Sequence, residues 1–510
     1  MTAPAYPEPG RRRLITFSVL VATMMTSLDM TIANVALPHI QGSVSASQEE
    51  IIWVLTSYMV AAAIFTPVTG WLASRFGQKR VMMLSIIGFT FVSGLCGIAN
   101  NLSELVLFRI LQGVCGAALV PISQAVLLDI NPPERHGPAM AIWGMGAIVG
   151  PIIGPALGGW LTDNFSWRWV FYINVPFGVL SCIGLASFAS ARQDAPPRFD
   201  FVGFGLLAIA IASFQLMFDR GQQQDWFSST EICIEAAFAA FFFYFFLVHT
   251  LTTDRPFVDI RLFKDRNFVV GCIFGMFMGA VLFSVLALLP PMLEGLMGYP
   301  VVLTGLVTAP RGIGTMISMY MAGQLVRRLD VRIPLFAGLL IFCVSSHMMT
   351  GFSLQMDERL VITSAFVQGL ASGLVFLSIS TLVFASLDQR FRNEGAAIFT
   401  LLRSIGGTIG IAVLQAMTIR NSATVHARLV EGVRPDNPVM AWRVPDFDFT
   451  LPSAVARLNA EITRQASMVA YIDSFWMLFA GSIAVMPLLL LARPPKRRPG
   501  EGDAPVIHLD

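Results

Sequence analysis

Residues 139–161 read AMAIWGMGAIVGPIIGPALGGWL, and this stretch decides the fold class. It carries no charge and is long enough to cross a bilayer as a helix. Its glycines and prolines would destabilise a soluble helix, whereas in a membrane the neighbouring helices satisfy the freed backbone groups. The stretch is therefore a predicted membrane span, and its small or kinking residues are Gly144, Gly146, Gly150, Pro151, Gly154, Pro155, Gly158 and Gly159.

Four of these glycines, Gly146, Gly150, Gly154 and Gly158, recur at every fourth residue. This spacing places them in one stripe along a helix, where a second helix can approach closely. One interpretation is a tight packing seam. The other is a seam that also slides or bends, at the two prolines, as a transport cavity opens and closes.

The composition of the whole chain supports the membrane assignment. Of 510 residues, 55% are hydrophobic and 13% are charged, whereas soluble proteins carry about 25% charged residues. The net charge of +2 gives no indication of nucleic-acid binding. The six cysteines lie scattered in apolar segments without metal-ligand spacing, so we expect small buried side chains rather than disulfides or metal ligands.

Apolar stretches of spanning length recur fourteen times. The first follows three arginines, as in a signal peptide, but it is too long for one. We therefore predict an all-α integral membrane protein with fourteen transmembrane helices, at residues 14–37, 51–73, 81–99, 102–130, 138–161, 169–191, 201–218, 232–251, 268–293, 302–326, 333–352, 361–384, 396–417 and 472–492.

Lysine and arginine predict the orientation of these spans. They are concentrated in alternate connections, and the short connections on the opposite side hold only Arg168, Arg220 and Arg359. Basic connections face the cytoplasm, so both termini are predicted to be cytoplasmic in a cell inner membrane. The long connection 418–471 is then extracytoplasmic, and its segment 454–466 has an amphipathic helical pattern. That segment serves either as packing cover or as a docking surface for a partner.

The chain also repeats itself. Segments that begin at residues 70 and 323, 111 and 367, and 137 and 395 resemble each other, at separations of 253, 256 and 258 residues. Two parallel six-helix bundles with a substrate site between them explain this near-constant separation. The predicted parts are a cytoplasmic N-terminus (1–13), an N-terminal bundle (14–191), two inserted linker helices (192–267), a C-terminal bundle (268–492) and a cytoplasmic tail (493–510).

Ionisable residues within spans are costly and are functional candidates. Asp29 and Arg109 lie at matching depths, about 12 Å and about 10 Å from the outer ends of their spans, which permits an interaction. A fixed ion pair that sets the register of two helices is one interpretation. A carboxylate that couples transport to protons is the other. Arg311 and Arg403 either line the cavity or bind nearby carbonyl groups.

Several motifs resemble the major facilitator superfamily, and within it the fourteen-span drug:proton antiporters of the EmrB/QacA type. The resemblance covers nearly the whole chain. It rests on residues 28–38 (LDMTIANVALP), 70–80 (GWLASRFGQKR), 107–113 (LFRILQG), 150–159 (GPIIGPALGG), 167–176 (WRWVFYINVP) and 259–263 (DIRLF).

The resemblance implies roles for individual residues. Asp29, Asn34 and Arg109 would take part in proton coupling or substrate binding. Gly70, Arg75 and Gly77 match the loop motif of the superfamily, which commonly has an aspartate where this chain has Ser74. This departure leaves open the salt bridge seen in relatives, although Asp129 could pair with Arg75. Residues 150–159 match the motif associated with antiporters.

The predicted function is proton-coupled export of amphipathic, drug-like compounds by alternating access, without a cofactor. The resemblance also implies a periplasmic adaptor (EmrA-like) and an outer-membrane channel (TolC-like) where the host has an outer membrane. No catalytic or nucleotide-binding motif appears, so we predict no enzyme. The alternatives are a dedicated exporter of one metabolite or toxin, a nutrient symporter, and a non-transporting scaffold or receptor.

Overall fold

The computed structural model describes residues 6–47, 50–132, 135–186, 199–254, 256–388, 391–434 and 447–493. These residues are almost all helical, and no strand occurs among them. The first seven residues of the predicted linker (192–198), the predicted tail beyond Arg493 and the first five residues of the chain lie outside the described residues. We call the end of the bundle at which the first helix begins its base, and the opposite end its top.

The first half forms six rods, of which two are each made of a pair of consecutive helices. A turn at Ala117 and Ala118 separates α4 from α5, and Ile173 separates α7 from α8. The helices are α1 (Pro9–Val44), α2 (Trp53–Phe76), α3 (Gln78–Ile98), α4 (Leu102–Gly116), α5 (Leu119–Ile130), α6 (His136–Asn164), α7 (Trp169–Tyr172) and α8 (Asn174–Leu185).

Two inserted helices and the second half follow. The inserted helices are α9 (Phe201–Arg220) and α10 (Thr230–Thr252). The second half contains α11 (Arg266–Pro291), α12 (Val301–Thr308), α13 (Pro310–Arg328), α14 (Arg332–Thr350), α15 (Glu358–Ala385), α16 (Arg392–Glu431) and α17 (Pro452–Val485).

The expected all-α membrane architecture is confirmed, but the count of fourteen spans is not confirmed in full. Twelve helices in the described part of the chain are long and apolar enough to cross a membrane. The predicted span 169–191 contains the shorter apolar segment Trp169–Leu185. The predicted span 302–326 is divided into α12 and α13 before Pro310, because proline has no N–H for the helical ladder.

The predicted connection 418–471 is largely helical. Helix α16 continues to Glu431 and α17 begins at Pro452, while residues 435–446 lie outside the described part of the chain. Polar contacts join the two extensions: the hydroxyls of Ser422 and Ser467 are 3.0 Å apart, and His426 Nε2 lies 3.0 Å from Asn459 Oδ1. The spans predicted from hydropathy end where the helices become polar, although the helices themselves continue.

The two halves pack in the same way, as the sequence repeat predicts. Contacts of α1 with α6, of α2 with α4 and of α3 with α8 correspond to those of α11 with α16, of α13 with α15 and of α14 with α17. Two seams join the halves, one between α2 and α16 and the other between α6 and α13. Helix α9 packs against both α2 and α16, and α10 packs against α9.

Repeat-related glycines lie in the two seams near the base. A Cβ atom on Gly70 would lie 2.8 Å from the Cα atom of Glu394, which no ordinary contact allows. A Cβ atom on Gly323, the repeat counterpart, would lie 3.5 Å from the Cα atom of Pro138, an ordinary contact distance. The α2–α16 seam therefore requires glycine, whereas the α6–α13 seam has room for a methyl group.

We expect Gly70→Ala to push α2 away from α16 at the base and Gly323→Ala to leave the base closed. Pulsed electron paramagnetic resonance would measure the separation of the halves. The spin labels would be attached at Arg80→Cys and Arg328→Cys, which are exposed positions. The background would lack the exposed Cys233. A longer or broader distance distribution is expected for Gly70→Ala alone. Equal distributions in the two variants would contradict the difference between the seams.

Candidate functional site

A buried carboxylate lies at the centre of the first half. Asp29 on α1 is fully buried, and its Oδ2 atom accepts a 2.6 Å hydrogen bond from Nη1 of Arg109 on α4. Its Oδ1 atom accepts hydrogen bonds from Gln112 Nε2 at 2.9 Å and from Asn174 Nδ2 at 2.8 Å. Both carboxylate oxygens are therefore paired, and the interaction permitted by the matching depths of Asp29 and Arg109 is present.

Arg109 has several partners besides Asp29, although its buried Nη2 atom forms no hydrogen bond with a described residue. Its Nε donates to the carbonyl of Val54 on α2 at 2.9 Å, and Nη1 also donates to Gln112 Oε1 at 2.8 Å. The guanidinium carbon lies 4.4 Å from the ring centre of Tyr58 and 5.7 Å from that of Phe171. Aromatic faces attract a cation most strongly where water is excluded, so these rings add to the stabilisation.

The network reaches α3 and α8 as well. Asn174 Nδ2 also donates to Ser93 Oγ at 2.9 Å, and Ser93 Oγ donates to the carbonyl of Phe171 at 2.8 Å. One carboxylate therefore connects helices from five of the six rods around it, and the carboxylate is sealed from solvent in this conformation. Loss of its charge would leave Arg109 buried without a counterion, which costs several kcal/mol.

The glycine stripe of α6 packs along α1, on the same helix as Asp29. Cβ atoms on Gly146, Gly150 and Gly154 would collide with Leu20, Ser27 and Thr31 of α1, respectively, and Gly158 faces Ile32. The Thr31 hydroxyl donates to the carbonyl of Gly150 at 3.3 Å. Helix α6 runs through Pro151 and Pro155 without a break, and Gly159 faces open space. The stripe is thus a packing seam inside the first half in this conformation.

Polar residues join the halves at the base. Gln78 Nε2 donates to Asp129 Oδ2 at 2.7 Å and to Asn393 Oδ1 at 2.8 Å. Asp129 also forms an ion pair with Arg392 at 3.0 Å. The suggested pairing of Asp129 with Arg75 is therefore wrong, because α16 brings a different arginine to this carboxylate.

The remaining residues of the loop motif have other positions. Arg75 is exposed, and the Ser74 hydroxyl donates to the carbonyl of Gly70 in its own helix, at 3.0 Å. Gly77 joins α2 to α3 with φ of 86°, a conformation that side chains with a Cβ atom rarely adopt. The sequence left open which residue of this motif would contact the second half, because Ser74 replaces the usual aspartate. In the structure Gln78 makes this contact, through its hydrogen bond to Asn393.

Three further candidate residues do not join the Asp29 network. Asn34 is exposed, five residues beyond Asp29 on α1. Arg311 on α13 is buried, with 8% of its surface exposed, and Arg403 on α16 is half-buried. The arginines lie in the second half, and neither forms a hydrogen bond to Asp29.

The sequence pointed to some of these residues only indirectly. Gln112 lies within the fourth-span motif and Asn174 within the 167–176 motif, so the motifs marked both without indicating their partner. Trp143, which donates from Nε1 to Thr23 Oγ1 at 3.0 Å and stacks on Phe376 of the second half, had no distinguishing sequence signal.

A fold of two repeat-related helical bundles with a buried ion pair in one of them defines a multi-pass membrane transporter. Residues 19–411 match the Major Facilitator Superfamily. The multidrug export protein EmrB of Escherichia coli (strain K12) is 35% identical over 501 residues, which cover 97% of this chain and 98% of that protein. The fatty acid resistance protein FarB of Neisseria gonorrhoeae is 35% identical over 496 residues, which cover 96% and 97%.

Solved structures share the fold at lower identity. The proton:xylose symporter XylE, bound to 6-bromo-6-deoxy-D-glucose, superposes with a TM-score of 0.59 at 13% identity, over 95% of this chain and 99% of that chain. The human organic anion transporter MFSD10 gives a TM-score of 0.58 at 13% identity, over 93% and 100%. The chain belongs to the Major Facilitator Superfamily, a family of transporters rather than enzymes.

We expect Asp29→Asn to destabilise the protein by about 3–5 kcal/mol, because it leaves Arg109 buried without a counterion. Adding Arg109→Gln in the same chain should recover most of this loss, since no unpaired charge then remains. Unfolding of the purified protein in mixed micelles would measure both effects. An unchanged stability of Asp29→Asn would show that the carboxylate does not compensate Arg109.

We expect Gly150→Ala to destabilise the α1–α6 seam by about 1–3 kcal/mol, as overpacking does in other cores. The added methyl group would lie 2.7 Å from the backbone nitrogen of Leu28, next to Asp29. Gly159→Ala is the matched control, because nothing lies within 4 Å of its Cβ position. The same unfolding measurement applies, and equal loss in both variants would argue against a packing seam at Gly150.

Proposed function

We propose that this chain is a proton-driven antiporter that exports amphipathic, drug-like molecules by alternating access. The observation that carries the proposal is the fully buried ion pair of Asp29 and Arg109 within the membrane-spanning part of the first half. The similarity to the multidrug export protein EmrB over nearly the full length supports the choice of substrates.

The ion pair suggests how a proton changes the structure. The deprotonated carboxylate holds α1 to α4, because it accepts hydrogen bonds from both Arg109 and Gln112. A proton on Asp29 removes the charge that compensates Arg109, so the guanidinium has to move or become hydrated. The two protonation states therefore favour different arrangements of α1 and α4, which is what coupling between protons and substrate requires.

Orientation follows from the basic residues. The connections at the base hold most of the lysine and arginine, so the base faces the cytoplasm and both termini are cytoplasmic in the cell inner membrane. In this conformation the base is closed by Gln78, Asp129, Arg392 and Asn393. A substrate that enters from the cytoplasm therefore needs these contacts between the halves to break.

The top carries a candidate docking surface. The extensions of α16 to Glu431 and of α17 from Pro452 form a helical hairpin that reaches beyond the predicted ends of the spans. This hairpin fits the proposed contact with an EmrA-like periplasmic adaptor, and through it with a TolC-like outer-membrane channel. The protein itself would then deliver its substrate into a channel that crosses a second membrane.

A dedicated exporter is the second candidate. The relative FarB, named for fatty acid resistance, is as similar to this chain as EmrB is, at 35% identity. The Asp29 pair would serve either transporter in the same way. A panel of substrates separates the two candidates. A non-transporting scaffold, by contrast, has no requirement for Asp29.

The test is proton movement in proteoliposomes that contain a pH-sensitive dye, with a panel of cationic, neutral and anionic amphipathic compounds. We expect wild-type protein to move protons when several of the compounds are added, and Asp29→Asn to lose this response. Asp163→Asn, which changes an exposed carboxylate at the end of α6, should respond like wild type.

The outcomes separate the candidates. A response to one compound alone supports the dedicated exporter. No response in wild type with any compound contradicts proton-coupled export. A full response in Asp29→Asn shows that the carboxylate is structural and that another group carries the proton.

A further inference from the structure

Two arginines of the second half, the buried Arg311 and the half-buried Arg403, have no counterion among the described residues. The Nε and Nη2 atoms of Arg311 on α13 are buried and form no hydrogen bond with any described residue. The Nε atom of Arg403 on α16 is in the same situation. None of the ion pairs among the described residues includes either side chain.

No described carboxylate lies within ion-pair distance of either arginine. Glu358 and Glu394 occupy the first turns of α15 and α16. Glu294 follows the end of α11, and Asp473 accepts a hydrogen bond from Asn421 near the top. Asp29 already compensates Arg109. The interior of the second half therefore contains two positive charges that the described protein groups do not balance.

Helix α15 lies against both arginines. Gly369 packs against the carbonyl of Arg311, and the guanidinium carbon of Arg403 lies 5.8 Å from the ring centre of Phe376. Seven residues separate the two contact positions on α15, which corresponds to about 10 Å along the helix. The backbone of Arg311 and the guanidinium of Arg403 therefore contact α15 about two turns apart.

A buried aromatic stack lies beside the guanidinium of Arg403. Phe376 stacks on Trp143 of the first half, with ring centres 5.7 Å apart and an angle of 20° between the planes. Gly144 on α6 faces Met319 and Phe376 across the same junction. Aromatic and methionine side chains provide adaptable contacts for apolar groups of varied shape.

We propose that Arg311 and Arg403 bind the carboxylate of amphipathic anions, while the Trp143–Phe376 pair receives the apolar body. The proposal rests on the proposed export function and specifies its substrate class. Burial of an unpaired cation is costly, and an anionic ligand that pairs with it removes that cost. A guanidinium matches a carboxylate in charge and in hydrogen-bond geometry. A cationic ligand at the same place would be repelled.

The test compares three fluorescent ligands with the same apolar body: pyrenebutyrate, pyrenebutanol and pyrenebutylamine. Binding to the full-length protein in detergent would be measured by fluorescence titration. We expect wild type to bind pyrenebutyrate about tenfold or more tightly than pyrenebutanol, the factor expected for hydrogen bonds to a charged group. An equal affinity for the acid and the alcohol overturns the proposal without any variant.

Variants locate the site. Arg311→Gln and Arg403→Gln should each weaken pyrenebutyrate binding about tenfold and leave pyrenebutanol binding unchanged. Arg403→Lys should retain most of the preference for the anion, because it keeps the charge. Arg359→Gln changes an arginine whose side chain is 90% exposed and should bind all three ligands as wild type does. A preference for the anion that survives both Arg→Gln changes overturns the assignment to these residues.

Transport of the same three ligands separates this proposal from the proposed function. Proton-coupled transport of the alcohol and the amine without tighter anion binding contradicts the anion site alone. Tight anion binding without proton-coupled transport of any ligand contradicts the antiport function alone. Unfolding measurements on each variant exclude loss of folding as the cause of weaker binding.

Discussion

A charge buried in a membrane protein is costly unless it is paired, and the pair of Asp29 and Arg109 shows what this constraint demands. The two carboxylate oxygens and the guanidinium contact donors, acceptors and aromatic rings on α2, α4, α7 and α8, and Asn174 extends the network to Ser93 on α3. Polar residues elsewhere in these helices bond mainly to their own backbone. The first half is therefore organised around one electrostatic requirement as much as around its apolar packing.

The two halves share a packing plan but differ in their charges. In the first half a carboxylate balances the buried Arg109, whereas no described carboxylate pairs with Arg311 or Arg403 in the second half. Gln112 and Gln368 occupy equivalent positions in the repeat, yet only Gln112 has hydrogen-bond partners among the described residues. Duplication thus preserved the helix contacts while the polar interior diverged, which allows the halves to take different tasks.

Much of the fold could be predicted because lipid imposes a simple rule. The apolar stretches and the separation of about 256 residues between similar segments indicated the spans and the duplication. The matching depths of Asp29 and Arg109 permitted their pairing but did not require it. The helical extensions of α16 and α17 could not be predicted in this way, because hydropathy reports contact with lipid rather than helix length. Asp129 illustrates a second limit: its partner Arg392 is 263 residues away and becomes a neighbour only through the contact between the halves.

Helix α16 has 40 residues and is continuous from Arg392 to Glu431, which makes it about 60 Å long. Its first residues take part in the polar closure of the base, its first third carries Arg403, and its last turns belong to the hairpin at the top. Such a rod acts as a lever arm. A tilt of about 5° at the base would displace the far end by about 5 Å, given the rise of each residue. Whatever binds the hairpin would therefore sense, across the whole thickness of the membrane, whether the opposite side is open or closed.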